Sequence, residues 1–369
     1  FLFFSMRLLI QLFVILLSSL IFAQENKDSN AIDFTLFRGN VIPHSPDLYH
    51  LITGHPEGVM LSFSKKTYGH EEWHSIYNYP DYGVYFLYQD FKNELLGKSY
   101  ATGAFYNFYF LKRNLNLKVA TGLATTTNPY DKQTNSKNKA FGSKVMANID
   151  FALNYKKENI IDKLGIQGGL LFTHFSNGRF KSPNSGINTY CLNLGINYNF
   201  DEGQNQSRDS IFSKMKYVER VKYNIVLRTG FNESPVVGSG QKPFYHIGFY
   251  IAKRVNRKSA LQAGTELFLT ASFKEFIKYR SIAYPENHVD YNTDYKRVGV
   301  FLGHELFINR ISIETQLGYY VYQPFKYDSS FYDRVGMKYY VSPKIFSGIS
   351  LVTHGFLAEA LEFIVGVRL

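Results

Sequence analysis

Apolar and polar residues alternate along most of this chain. Ala147, Ile149, Phe151, Leu153 and Tyr155 interleave with Asn148, Asp150, Ala152 and Asn154. The same pattern sets Tyr190, Leu192, Leu194, Ile196, Tyr198 and Phe200 against Cys191, Asn193, Gly195, Asn197 and Asn199. It returns with Leu361, Phe363, Val365, Val367 and Leu369 against Ala360, Glu362, Ile364, Gly366 and Arg368. Successive side chains of a strand point to opposite faces, so each segment predicts a strand with one apolar and one polar or small face. A soluble sandwich also alternates. Two features favour a membrane barrel: each segment is about 10 residues long, enough to cross a bilayer at a tilt, and almost nothing of helical period separates the segments. The expected fold is all-β, an antiparallel transmembrane β-barrel of about 14–16 strands, apolar outside and polar inside.

About sixteen candidate strands can be marked between 32–41 and 358–369, and bacterial barrels use even numbers. Numbering outward from a periplasmic start puts the short connections Lys112–Asn114, Ile308–Arg310 and Ser342–Lys344 on the periplasmic side. The long connections 126–142, 274–296 and 323–334 then fall outside, as expected. The connections 67–81 and 201–222 are long yet periplasmic and break the rule. No repeat or linker stands out, so residues 24–369 are expected to form a single outer-membrane barrel. Residues 1–23 read as a signal peptide: Met6 and Arg7 lead into an apolar run, and Ala23 precedes the polar stretch Gln24–Asn30.

Composition agrees with a sheet. Aromatic residues make up 17% of the 369 residues, with 33 Phe and 29 Tyr against 5 Met. Flat rings suit pleated surfaces. The single cysteine, Cys191, excludes an intrachain disulfide. The net charge of +11 would attract the chain to anionic surfaces such as lipopolysaccharide phosphates, although charge alone favours the plainer reading of scattered loop lysines. No nucleic-acid partner is expected, and the sequence leaves dimerisation open.

The candidate chemistry lies in Thr173-His174-Phe175-Ser176-Asn177-Gly178, which ends an outward-running strand, and in Pro183-Asn184-Ser185-Gly186-Ile187-Asn188, which begins the return. By parity His174 and Ser176 share the apolar face of Ile166, Leu170 and Phe172, while Asn188 shares that of Tyr190, Leu192 and Leu194. Three polar side chains thus gather at the outer rim of the lipid-facing wall, where they are costly unless they lie near the interface or have a task. In this reading Ser176 lies opposite Asn188, and His174 opposite Tyr190. A serine hydroxyl needs a base within hydrogen-bond reach, which His174 can supply. Asn188 can orient the imidazole. Asn177 and the amide of Gly178 can donate to an oxyanion. Spacing alone favours a plainer alternative, headgroup-level rim residues without catalysis.

On these residues the chain resembles the lipid A 3-O-deacylase family of outer-membrane barrels, and especially its larger relatives described as acyloxyacyl hydrolases. Supporting stretches are Trp73 to Gly83, Asn135-Ser136-Lys137-Asn138 with Gly142-Ser143, and Thr353-His354-Gly355 with Ala358-Glu359. The resemblance reverses the balance of the two readings. It implies hydrolysis of an ester-linked hydroxyacyl chain of lipid A without metal or other cofactor. Ser176 would be the nucleophile, His174 the base and Asn177 part of the oxyanion hole. Where the best-known members have a glutamate as third residue, this chain has Asn188. A neutral amide can fix a tautomer but cannot offset the charge of an imidazolium.

Arg179, Lys181 and Asn184 sit in the same loop as candidate substrate ligands, the two cations for lipid A phosphates. Two rivals remain. His70-Glu71-Glu72-Trp73-His74 fits a zinc pattern that needs a helix, which its surroundings do not suggest. A non-catalytic porin or structural barrel would suit a polar lumen lined by Asn148, Asp150, Asn193, Asn197 and Asn199.

Overall fold

A computed structural model describes residues 29–200, 217–355 and 357–369. The expected signal segment 1–23 lies outside the described residues. Sixteen strands are present among the described residues. The first eight are β1 (Asn30–Val41), β2 (Glu57–Lys65), β3 (Asp81–Asp90), β4 (Lys98–Phe110), β5 (Leu115–Thr126), β6 (Val145–Ile161), β7 (Leu164–Ser176) and β8 (Ile187–Asn199). The second eight are β9 (Lys222–Asn232), β10 (Lys242–Arg254), β11 (Ser259–Thr270), β12 (Arg297–Ile308), β13 (Ile311–Tyr322), β14 (Phe331–Tyr340), β15 (Ile345–His354) and β16 (Leu357–Arg368). Among the described residues two α-helices interrupt the loops, α1 (Glu72–Ile76) and α2 (Ser272–Ala283). Among the described residues, no helix is long and apolar enough to cross a membrane.

The strands close as two antiparallel barrels, β1–β8 and β9–β16, which corrects the expectation of a single barrel over 24–369. β8 pairs back onto β1, from Ala31↔Asn199 to Val41↔Thr189. β16 pairs back onto β9, from Phe363↔Thr229 to Arg368↔Asn224. These closing pairs are the non-local ones. Every other pair is a hairpin between sequence neighbours, and local alternation is identical in both arrangements. The long 201–222 connection, anomalous for one barrel, joins two.

Each barrel carries its polar side inward. In the first, Asp33 and Thr35 are buried on β1, while Phe34 and Leu36 face outward at 42% and 53% exposure. Its interior is filled by side chains. Lys156 Nζ lies 2.9 Å from Asp33 Oδ1, and Lys118 Nζ donates to Ser62 Oγ at 2.7 Å. Tyr85 donates to Asn148 Oδ1 at 2.6 Å. Asn148, Asp150, Asn193, Asn197 and Asn199 do line the interior, and all five are buried.

The second barrel is filled by an ion-pair lattice. Arg228 donates to Glu266 Oε1 at 2.7 Å and to Glu314 Oε1 at 3.0 Å. Arg334 binds Glu266 Oε2 at 2.6 Å and Glu362 Oε2 at 2.8 Å. Lys338 lies 2.6 Å from Glu314 Oε2 and 3.4 Å from Glu305 Oε1. All seven side chains are fully buried. A buried charge persists only when paired and hydrogen-bonded, and here each bridges at least one opposite charge.

Arg334→Leu deprives Glu266 and Glu362 of a shared partner while keeping apolar volume. It is expected to cost about 3–5 kcal/mol, read as a lower unfolding midpoint of the detergent-folded chain by heat-modifiable gel mobility. An unaltered midpoint would contradict the importance of this lattice.

Candidate active site

Alternation on β7 sets the geometry. Phe175 points inward, is fully buried, and packs edge-on against Phe91 at 5.8 Å between ring centroids. Phe91 in turn packs on Phe141 at 5.5 Å. With Phe175 anchored, both neighbours must face out. His174 is half-buried, flanked by Ile149 of β6 and Asn188 of β8. Ser176 is buried beside it at 7% exposure.

Ser176 Oγ lies 2.9 Å from His174 Nε2. His174 Nδ1 lies 2.5 Å from Asn188 Oδ1. An amide oxygen only accepts, so Nδ1 carries the proton and Nε2 presents its lone pair to the serine hydroxyl. This is the arrangement a serine nucleophile needs from its base.

The pairing differs from the sequence expectation. His174 lies opposite Asn188 and Phe172 opposite Tyr190, so the register is shifted by one pair on each face. The cause is the turn. β7 leaves the ladder after Phe175, whose partner is Ile187, and Ser176 reaches His174 along its own strand rather than across it.

Two residues that sequence reasoning left without a role complete the surroundings. Gly186 has φ +68°, and a Cβ there would lie 3.0 Å from Phe175 O, 3.2 Å from Ser176 Cβ and 3.3 Å from His174 Cε1. Its place thus demands glycine both for backbone conformation and for space. His44, just beyond β1, approaches Asn188. Its Nδ1 is 3.3 Å from Asn188 Nδ2, and its Nε2 is 3.0 Å from Ser185 O. The pairing of β1 with β8 brings it there, continued by Ile42 N–H donating to Asn188 O at 2.8 Å. The motif's glycine was visible in the sequence. Nothing local marked His44, which is joined to the site only by barrel closure.

The other candidates are placed as follows. Asn177 donates its backbone N–H to Asn184 Oδ1 at 2.9 Å and its Nδ2 to Ser143 Oγ at 3.0 Å. Asn184 is therefore engaged in holding Asn177. Gly178–Pro183 group with the second compact unit. Within that unit Gly178 has φ +60°, and the Arg179 carbonyl accepts from Glu233 N–H at 3.1 Å. Lys181 is exposed. His74 lies in the short helix α1, but its Nδ1 faces the backbone N–H groups of Gly69 at 3.3 Å and Glu71 at 3.4 Å. That ring is an internal cap of the turn.

In the second barrel Asp328, His354 and Glu359 place ligand-type atoms within 4.8 Å of one another. Arg297 already grips both oxygens of Glu359. That guanidinium neutralises the charge a cation would need.

Closed antiparallel barrels with polar interiors and apolar exteriors are of the outer-membrane β-barrel type. The chain is a member of the lipid A 3-O-deacylase family. Residues 57–197, within the first barrel, match the family described as Lipid A 3-O-deacylase (PagL). Residues 221–369, within the second, match the one described as Acyloxyacyl hydrolase, C-terminal domain. No curated protein matches the chain. Solved structures that align with it include OccAB3 of Acinetobacter baumannii, at 11% identity over 93% of this chain and 98% of that one, with a TM-score of 0.22. A mutant of the Rh. blastica porin aligns at 9% identity over 93% and 99%, with a TM-score of 0.19. Superpositions that poor do not bear on the architecture.

Gly186→Ala forces a methyl group against His174 and Ser176. It is expected to lower labelling of Ser176 by a serine-reactive phosphonate at least about tenfold while the barrel still folds; labelling at the native rate would count against the close approach. Asp328 stands in the loop before β14, and its burial raises its carboxyl pKa above the ordinary value, with His354 and Glu359 facing it. A raised folded-state pKa means that stability falls as pH rises through the carboxyl range towards that value. Asp328→Asn should therefore raise the unfolding midpoint modestly at neutral pH and leave it unchanged in acid, measured by the same gel assay.

Proposed function

We propose that this chain removes an ester-linked hydroxyacyl chain, at the 3 position, from the lipid A of lipopolysaccharide in the bacterial outer membrane, using Ser176 as nucleophile. Family membership supports lipid A deacylation in general. The observation that carries the residue-level reading is the chain of contacts from Ser176 Oγ through His174 to Asn188 on the outward face. A site on that face meets acyl chains without extracting them from the leaflet.

In the proposed reaction Ser176 Oγ attacks the ester carbonyl carbon as its proton passes to His174 Nε2. The tetrahedral intermediate collapses, the sugar oxygen leaves, and His174 returns the proton to it. Water, deprotonated by His174, then cleaves the acyl-serine to the free hydroxy acid and restores the hydroxyl. Backbone N–H groups of Asn177 and Gly178 serve as oxyanion donors, the first exchanging its Asn184 acceptor for the substrate oxygen. Asn184 then becomes free to meet substrate, and Arg179 and Lys181 take lipid A phosphates. No metal or other cofactor has a step.

The pore alternative is disfavoured by interiors packed with buried side chains and ion pairs. The apolar exteriors, with Leu192 and Leu194 about 70% exposed on β8 and Phe363 and Val365 near 60% on β16, support embedding in lipid.

Lipid A from cells expressing the chain should lose one hydroxyacyl mass by mass spectrometry, and Ser176→Ala should abolish the loss. Equal loss with the variant would sink the serine mechanism. Asn188→Glu, by offsetting imidazolium charge, should raise kcat about tenfold or more. Planar bilayers should show no steady conductance, whereas stable channels would favour the porin reading.

A further inference from the structure

The neutral third residue creates a problem that the neighbouring ring solves. A carboxylate presents an acceptor whichever oxygen faces His174. An asparagine amide has one accepting and one donating end of nearly equal shape. If Asn188 turned Nδ2 towards His174, Nδ1 would have to accept, the ring proton would move to Nε2, and Nε2 could no longer take the serine proton. The orientation of one amide thus decides whether the base works.

We infer that His44 is a positioning residue that holds Asn188 in the productive orientation; this rests on the reading of Ser176 and His174 above. Two of the three contacts of the His44 ring agree. His44 Nε2 faces Ser185 O at 3.0 Å, a carbonyl that only accepts, so Nε2 carries the proton. In the neutral ring Nδ1 is then an acceptor, 3.3 Å from Asn188 Nδ2. The opposite tautomer would donate Nδ1–H to Ile42 O at 3.1 Å. It would also set a lone pair against Ser185 O and a hydrogen against the Asn188 amide hydrogens. Ile42 O does not depend on that bond, since it already accepts the backbone N–H of His44 at 2.9 Å. The tautomer held by Ser185 therefore fixes the amide of Asn188. That amide fixes the tautomer of His174, which frees Nε2 for Ser176. Four side chains share one direction of proton placement, and the outermost is held by a backbone carbonyl.

The dependence is conditional, which separates positioning from mere packing. His44 matters only while residue 188 is an amide. The test uses the full chain in detergent micelles, with acyl release from lipid A as the assay. His44→Phe, which keeps the ring but removes the acceptor, should lower kcat about tenfold with KM unchanged. His44→Gln, whose Oε1 can accept from Asn188, should recover most of it. In an Asn188→Glu background, His44→Phe should change kcat by less than about twofold. Equal losses in both backgrounds, or no loss in the native one, would overturn the inference. If the glutamate variant does not fold, 15N-histidine spectra decide: His174 should be protonated at Nδ1 in the native chain and become a tautomer mixture in His44→Phe, and an unchanged His174 tautomer would refute the role. Persistent hydrolysis in Ser176→Ala is a separate outcome, since it removes the reading of the nucleophile itself.

Discussion

The site depends on one buried ring. Phe175 is locked inside the first barrel against Phe91, and a strand cannot rotate one side chain without its neighbours. Burying that ring turns His174 and Ser176 outward together, on the same face and within hydrogen-bond distance. A slip of one residue would put both polar groups inside and Phe175 outside. The core contact that stabilises the end of β7 is thus also the contact that aims the dyad.

How much of this was legible in the sequence follows from how local each feature is. Strand positions, parity and the two outward polar groups on β7 depend on period-two alternation, which any short window displays. Closure was not legible, because Ala31↔Asn199 and Phe363↔Thr229 join distant residues with no special composition. The one clue was the long connection after Asn199, which fitted one barrel badly. The register of β7 against β8 was misjudged because it depends on where the loop leaves the ladder. The Asn177–Asn184 contact inside that loop could not be read from composition. His44 was invisible for the same reason as closure, since closure is what delivers it.

The second barrel shows the opposite economy from the site. Its interior carries Arg228, Arg334 and Lys338 against Glu266, Glu305, Glu314 and Glu362, with no exposure to solvent. Desolvating so many charges stabilises only if nearly every donor and acceptor is matched, as these distances show. In the sequence these residues appear as single charged positions on the polar side of alternating strands. They look no different from lumen residues facing water, and only their pairing across the barrel distinguishes a filled interior from a wet one.

His174 takes its orienting contact from an amide, and its position suggests why an amide can serve there. A carboxylate half-buried on a lipid-facing wall loses much of its hydration, which makes the charged form costly whenever the imidazole beside it is neutral. Asparagine avoids that resting-state cost and keeps an acceptor against His174 Nδ1. In exchange it gives up charge stabilisation of the imidazolium, and it brings the ambiguity of an amide with two ends. The first loss is electrostatic, and a hydrogen bond from a neutral ring does not restore it. The second is a matter of orientation, which one acceptor at the right place removes, and His44 Nδ1 stands at that place. On the proposed reading of Ser176 as nucleophile, a site built this way trades speed for neutrality, and its geometry rests on hydrogen-bond direction rather than on charge.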